Sequence, residues 1–210
     1  MLRSCIEAAA IEKLDRYGPR EGERMSARVS INRSNTANRE YLAHHEAAHA
    51  VIARMLGVPC LGILMFPTDD SNNAGALVQS AAFHADVGGR LGGLKKDALV
   101  WLAGPVANVR LSGDPKHFSI GAKSDLKAAQ DAALKAALLS SGVDLPWGPE
   151  SFDLEVDSKT IKQANSVLKD WRVEAEQLVC EHWPKIERVA RALLTADMLV
   201  EAEVDRLIAG

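Results

Sequence analysis

The chain has 210 residues, of which 47% are hydrophobic and 25% charged, and its formal net charge is −3. That composition suits one good-sized globular domain with an ordinary core, or a domain with an appendage. No basic stripe runs through it, so nucleic acid is not an expected partner, because phosphate binding needs clustered Lys and Arg.

Residues 1–38 are expected to form an N-terminal arm. Ile6 to Tyr17 has the makings of a short helix, ended by Gly18-Pro19, and Arg20 to Asn38 is polar and poor in large apolar residues, as loops or partly disordered segments are. A helix is predicted to begin near Asn38 or Arg39 and to run to about Leu56. Leu42, His45, His49, Ile52 and Leu56 recur at helical spacing, and Gly57 and Pro59 stop the run. Leu61 to Phe66 and Gly75 to Ser80 are short apolar runs on either side of a turn-rich loop, which predicts a two-stranded β-ribbon. Gly88-Gly89 and Gly92-Gly93 read as loop, followed by a helix over about Lys95 to Leu111 with a bend at Gly104-Pro105. Ser124 is a suitable cap for a helix over Asp125 to Leu139. Ser158 to His182 reads as an amphipathic helix with Ile161, Ala164, Leu168, Trp171, Leu178 and Val179 on one side. Pro184 opens a helix reaching Leu194, and a last one covers about Glu201 to Ile208. The fold expected is therefore mainly α, a helical array with one small two-stranded β-ribbon, in a domain spanning 39–210.

The longest apolar run, Ala98 to Val109, is broken by Gly104-Pro105 and falls short of the ~20 residues a membrane span requires. The three cysteines, Cys5, Cys60 and Cys180, are far apart and form no CxxC pair. With no signal-peptide pattern at the start, the expectation is an unanchored cytoplasmic protein.

The chemistry concentrates at His45-Glu46-Ala47-Ala48-His49, an HExxH motif on the first strong helix. Residues four apart lie on one face, so His45 and His49 can direct their imidazoles at one metal ion. Glu46, about 100° further round at 3.6 residues per turn, is placed to take a proton from a water on that metal and to deliver it to a leaving amine. Zinc in a hydrolytic site takes three protein ligands and keeps one open position. His84, His117, His182 and several carboxylates are candidates for the third. Asp125 stands out because it opens a helix after a glycine-containing loop, although an acidic residue there can also simply complement the helix dipole. His44 reads as a solvated or capping residue.

Tyr41 to Val51, including His44-His45-Glu46-Ala47-Ala48-His49-Ala50, resembles the zinc helix of the FtsH-type peptidases, and Ser119-Ile-Gly-Ala-Lys-Ser-Asp-Leu-Lys-Ala-Ala resembles the segment that supplies their third ligand. The resemblance implies Zn²⁺ held by His45, His49 and Asp125, with Glu46 as general base and acid. Ile63-Leu-Met-Phe-Pro and Gly75-Ala-Leu-Val look like the family's β-ribbon, so Gly75, Ala76, Leu77 and Val78 would pair with an extended substrate. Leu102-Ala-Gly-Pro-Val-Ala resembles the helix beside the site, and residues from Ile186 to Leu207 resemble the C-terminal helices. The likeness covers roughly 39–209. Three features depart from the family: no GxxxxGK[ST] ATPase motif, no membrane anchor, and Asn108 where a Glu is usual. A neutral amide at 108 would orient a ligand by hydrogen bonding.

The resemblance implies an ATP-independent endopeptidase acting on peptides or on unfolded and flexible protein segments. The alternatives are a zinc-bound peptide-binding or regulatory module with little turnover, or a peptidase subunit that borrows a separate ATPase chain. The family forms hexamers, which leaves a homo-oligomer among the expectations.

Overall fold

The computed structural model describes residues 33–65, 74–78, 87–119, 122–143, 145 and 156–210. The chain divides into two compact units, Met1–Thr36 and Ala37–Gly210, and the second carries the chemistry. The helix expected over residues 6–17 and the polar stretch from 20 to 32 lie outside the described residues.

Six α-helices, a 3₁₀ turn and three short strands follow one another among the described residues. They are α1 (Arg33–Met55), β1 (Cys60–Met65), β2 (Ala74–Val78), α2 (Val87–Ser112), the 3₁₀ turn Pro115–Phe118, α3 (Lys123–Ser140), α4 (Ser158–Glu181), α5 (Trp183–Ala196), β3 (Met198–Val200) and α6 (Glu201–Ala209). The fold is mainly α with a small antiparallel sheet. No helix among the described residues is long and apolar enough to cross a membrane.

Helix α1 starts at Arg33, five residues before the expected start at Asn38 and well before the apolar periodicity that begins at Leu42. Extending an existing helix adds one hydrogen bond per residue fixed, so a polar stretch can be drawn in. Its end is a Schellman turn. Val58 N–H bonds the Ala53 carbonyl at 2.8 Å and Gly57 N–H the Arg54 carbonyl at 3.2 Å, with Gly57 in the left-handed region at φ 69°. Val58 then folds into the core.

Strand β1 lies in the middle of the sheet, in the order β2-β1-β3. It pairs antiparallel with β2 through Ile63–Ala76, Leu64–Gly75 and Met65–Ala74. On its other side, Gly62, Ile63 and Leu64 pair with Val200, Leu199 and Met198 of β3. The expected ribbon is therefore present, with a third short strand added to its inner edge. Cys60, Ile63 and Met65 of β1 are buried in the core with Ile52, Ile186, Val189, Leu193 and Val204.

Helix α2 begins at Val87, so Gly88-Gly89 and Gly92-Gly93, expected as loop, are helical. Helix α3 packs against it closely because Ala129, Ala132, Ala133, Ala136 and Ala137, all buried, keep the side-chain layer thin. Two further expectations are corrected. The N-cap of α3 is Ala122, without a side-chain cap bond, and Ser124 lies inside the first turn. Ile161 of α4 is exposed, and the buried stripe runs instead through Thr160, Ala164, Trp171, Ala175 and Val179.

Candidate metal centre

On α1, His45 and His49 stand one turn apart with ring centroids 4.7 Å from each other and planes at 83°. The tight Ala packing of α3 on α2 delivers the first turn of α3 to them. Asp125 Oδ2 lies 2.9 Å from His45 Nε2 and 3.6 Å from His49 Nε2. One ligand atom from each of the three lies within 4.8 Å of the others, and all three residues are buried. The 2.9 and 3.6 Å separations bracket the edge of about 3.4 Å expected of a tetrahedron with bonds about 2.1 Å long.

Helix α2 closes the site with three residues at successive four-residue intervals, Val100, Gly104 and Asn108. The Val100 carbonyl accepts a hydrogen bond from His49 Nδ1 at 2.7 Å. Asn108 Nδ2 is 3.1 Å from His45 Nδ1. Between them, a Cβ on Gly104 would come within 2.6 Å of both His45 Nε2 and His49 Nε2. Real Cβ atoms do not approach that closely, so only glycine leaves the space in front of the two nitrogens open. Pro105, the next residue, lacks the N–H that would bond the Trp101 carbonyl and so loosens the turn next to Val100. Trp101 meets the His49 ring edge-on at 6.0 Å.

The electrostatics suit a cation. Burial pushes the Asp125 pKa up, but hydrogen bonds from His45 and His49 and their charges outweigh it and hold the carboxyl well below the usual carboxylate range. Asp125 is therefore anionic at neutral pH. Burial pulls His49 down, while Asp125, the charge of Glu46 and the Val100 carbonyl together raise it above the ordinary histidine value. A carbonyl only accepts, so His49 Nδ1 must carry a hydrogen; the protonated ring also donates from Nε2 to Asp125, and in the neutral ring Nε2 instead holds the lone pair that a metal ion would take. Two imidazoles and a carboxylate around a space held open by a glycine thus fit a divalent metal ion.

The sequence-derived residues divide accordingly. His45, His49 and Asp125 are brought together, and Asn108 bonds one of them. Glu46 is buried on the same helix, near enough for its charge to act on His49. Gly75, Ala76, Leu77 and Val78 form β2, at one edge of the sheet, and are not members of the His–His–Asp group. His117 stacks on Tyr41 at 5.3 Å, and neither it nor His182 belongs to the group; His84 lies outside the described residues. His44 is a correction. It is buried, bonded through Nδ1 to the Glu40 carbonyl at 2.8 Å and stacked on Trp183 at 5.6 Å, not solvated. Val100 and Gly104 were not among the expected site residues. Their signal, a four-residue interval shared with Asn108, is visible only once Asn108 is given a place beside the metal. No model of a known protein family matches the chain, and no curated protein sequence does either.

Proposed function

We propose that the chain is a zinc-dependent, ATP-independent endopeptidase of the FtsH type, acting on peptides or on unfolded and flexible protein segments. The observation that carries the reading is the buried His45–His49–Asp125 group with the Gly104 gap in front of it, on the helix that also bears Glu46. Zinc held there supplies a Lewis acid that polarises a peptide carbonyl and acidifies water. Asp125 and the two histidines would hold the ion, and the Val100 carbonyl, by accepting from His49 Nδ1, would leave His49 Nε2 to ligate it. Glu46 takes the proton released by the attacking water and passes it to the leaving amine. The far edge of β2, with Gly75, Ala76, Leu77 and Val78, offers main-chain groups to an extended segment, which would add to the sheet as a further strand. A substrate recognised in this way must already be extended, which excludes a folded domain. The setting proposed is cytoplasmic, with a second copy of the chain as partner and no role for nucleic acid; a separate ATPase chain belongs to the alternative in which this chain is a peptidase subunit.

A second reading, a zinc-bound peptide-binding module with little turnover, draws support from the low exposure of the ligands, between 4% and 7%. Against it, structural zinc sites take four protein ligands, and only three gather among the described residues. Glu46→Gln separates the two. Hydrolysis of an unfolded protein such as casein, without ATP, should fall about 10²–10⁴-fold while zinc is retained. A wild type as inert as the variant, with zinc and peptide binding intact in both, would favour the binding module.

A further inference from the structure

We propose that a cavity between α2, α4 and the 3₁₀ turn is a binding site for a small carboxylic acid with an apolar, aromatic-sized body, anchored by Arg110. The proposal is independent of the metal-centre reading.

The cavity has a volume of about 210 Å³ and is lined by Val106, Val109, Arg110, Phe118, Glu176 and Val179. Val106, Val109 and Arg110 lie about 140–240° round α2 from Gly104, at 3.6 residues per turn. The cavity is therefore on the far side of that helix from the His–His–Asp group. Three valines and a phenylalanine make its walls apolar. An apolar cavity of about 150 Å³ admits a benzene ring, so this one has room for a phenyl group and a short chain.

The charges beside the cavity do not cancel. Glu176 is the one carboxylate in the lining, and it already has a cation: Arg172 Nε donates to Glu176 Oε1 at 3.0 Å, with the Arg172 guanidinium 4.0 Å over the Phe118 ring. Arg110 is held differently. Its guanidinium lies 4.9 Å over the Trp183 ring, and its Nη1 donates to Cys180 Sγ at 3.4 Å. Neither partner is a carboxylate, and Arg110 has no ion pair among the described residues, whereas Arg39, Arg54, Arg172 and Arg191 each have one. The contact with Trp183 occupies the face of the guanidinium and leaves its edges, which carry the N–H groups that grip a carboxylate two at a time. A side chain already held by a ring and a thiol also loses less freedom when a ligand arrives. Apolar walls with one uncompensated cation at their edge suit an apolar body that ends in one negative charge.

The same pairing of apolar group and carboxylate occurs at the C-terminus of a peptide, but the lining favours a free acid. Proteins capture a peptide terminus with clustered main-chain N–H groups. Five of the six lining residues lie inside α2 or α4, where every N–H past the first turn is bonded within the helix. Side chains alone are left to recognise a ligand.

The test uses the full chain with methyl-labelled valines, as purified and again with a chelator present. Phenylpropionate should shift the methyl signals of Val106, Val109 and Val179 saturably, and alike in both conditions. Phenylpropanol, with the same body and no charge, should bind about 10–100-fold more weakly, the factor a hydrogen bond to a charged group confers. Arg110→Gln should weaken the acid by that factor and leave the alcohol unchanged. Val109→Phe, which fills the cavity, should abolish the binding of both. N-acetylphenylalanine, standing for a peptide terminus, should bind no more tightly than phenylpropionate. Acid and alcohol of equal affinity would overturn the proposal, as would an acid affinity indifferent to Arg110→Gln. Shifts that centre on Val100 and vanish with the chelator would put the acid at the metal centre and overturn it as well. N-acetylphenylalanine binding tenfold more tightly than phenylpropionate would replace the free acid by a peptide terminus. If Val109→Phe does not fold, Arg110→Gln, at an exposed position, still decides.

Discussion

Two successive stretches of α1, His45 to His49 in its middle and Ile52 to Met55 at its C-terminal end, are buried in opposite ways. Around His45 and His49 the interior is polar: Glu46, Asn108 and Asp125 are enclosed with them by α2 and α3. Around Ile52 it is apolar, shared with Ile63 of β1, Ile186 and Leu193 of α5 and Val204 of α6. Arg54 closes that end from outside, bonding Glu201 at 2.9 Å and Asp205 at 2.5 Å. Burying polar groups costs free energy unless each finds a partner, whereas burying a large apolar side chain contributes about 1.5–3 kcal/mol. The apolar stretch is thus the source of stability that lets the other hold two imidazoles and a carboxylate away from water. A change at the polar stretch should alter metal binding and leave folding nearly intact, and a change at the apolar one should do the reverse.

Gly104→Ala should show the separation most sharply. The added methyl would enter the space in front of both Nε2 atoms. Zinc affinity, followed by chelator competition, should fall by more than the roughly 10–100-fold that loss of an outer hydrogen bond costs. Within a helix the same substitution ordinarily gains about 1 kcal/mol, which offsets part of the roughly 1–3 kcal/mol that displacing the two crowded rings costs, so the metal-free protein should lose at most a small part of its stability. Unchanged zinc affinity would mean that the gap is not where the metal sits.

Ile186→Ala probes the apolar stretch. Ile186 is fully buried, and truncating such a side chain costs about 2–5 kcal/mol. Urea unfolding of the metal-free protein should show that loss, while the folded fraction still binds one zinc per chain. A specific loss of zinc from folded Ile186→Ala would break the division between the two stretches.

Arg54→Ala should have the smallest effect. Its ion pairs are partly exposed, with Arg54 at 25% and its partners at 40% and 44%. Solvent screening then limits the destabilisation to about 1 kcal/mol or less, again read from urea unfolding, with zinc binding unchanged. A much larger loss would place Arg54 among the groups that hold α6 on the sheet.

How far each stretch can be read from the sequence follows the same divide. Helix α1 is legible because the periodicity of Leu42, His45, His49, Ile52 and Leu56 is local, and so is its stop at Gly57. Asp125 is less so: local signals describe only an acidic residue in a first helical turn, and it is the resemblance that sets it beside His45. Its neighbour Ser124 looks like a cap by composition, yet the helix starts one residue earlier, at Lys123, with no side-chain cap. Gly88-Gly89 and Gly92-Gly93 have the signature of a loop, with a helical cost of about 1 kcal/mol per glycine; packing of α2 against α3 and α4 overrides it. His44 meets Trp183 across a separation no local pattern spans. Gly104 reads as a helix bend, and its use becomes visible only when α1 lies against it.

The most direct measurement of the central claim is the metal content of purified wild type beside His45→Ala, His49→Ala and Asp125→Ala, after each has been offered zinc and freed of excess. The account predicts about one zinc per chain in the wild type, as three ligands with one open position hold a single ion, and next to none in the three variants. Zinc retained at full stoichiometry by the Asp125→Ala protein, or absent from the wild type, would contradict it.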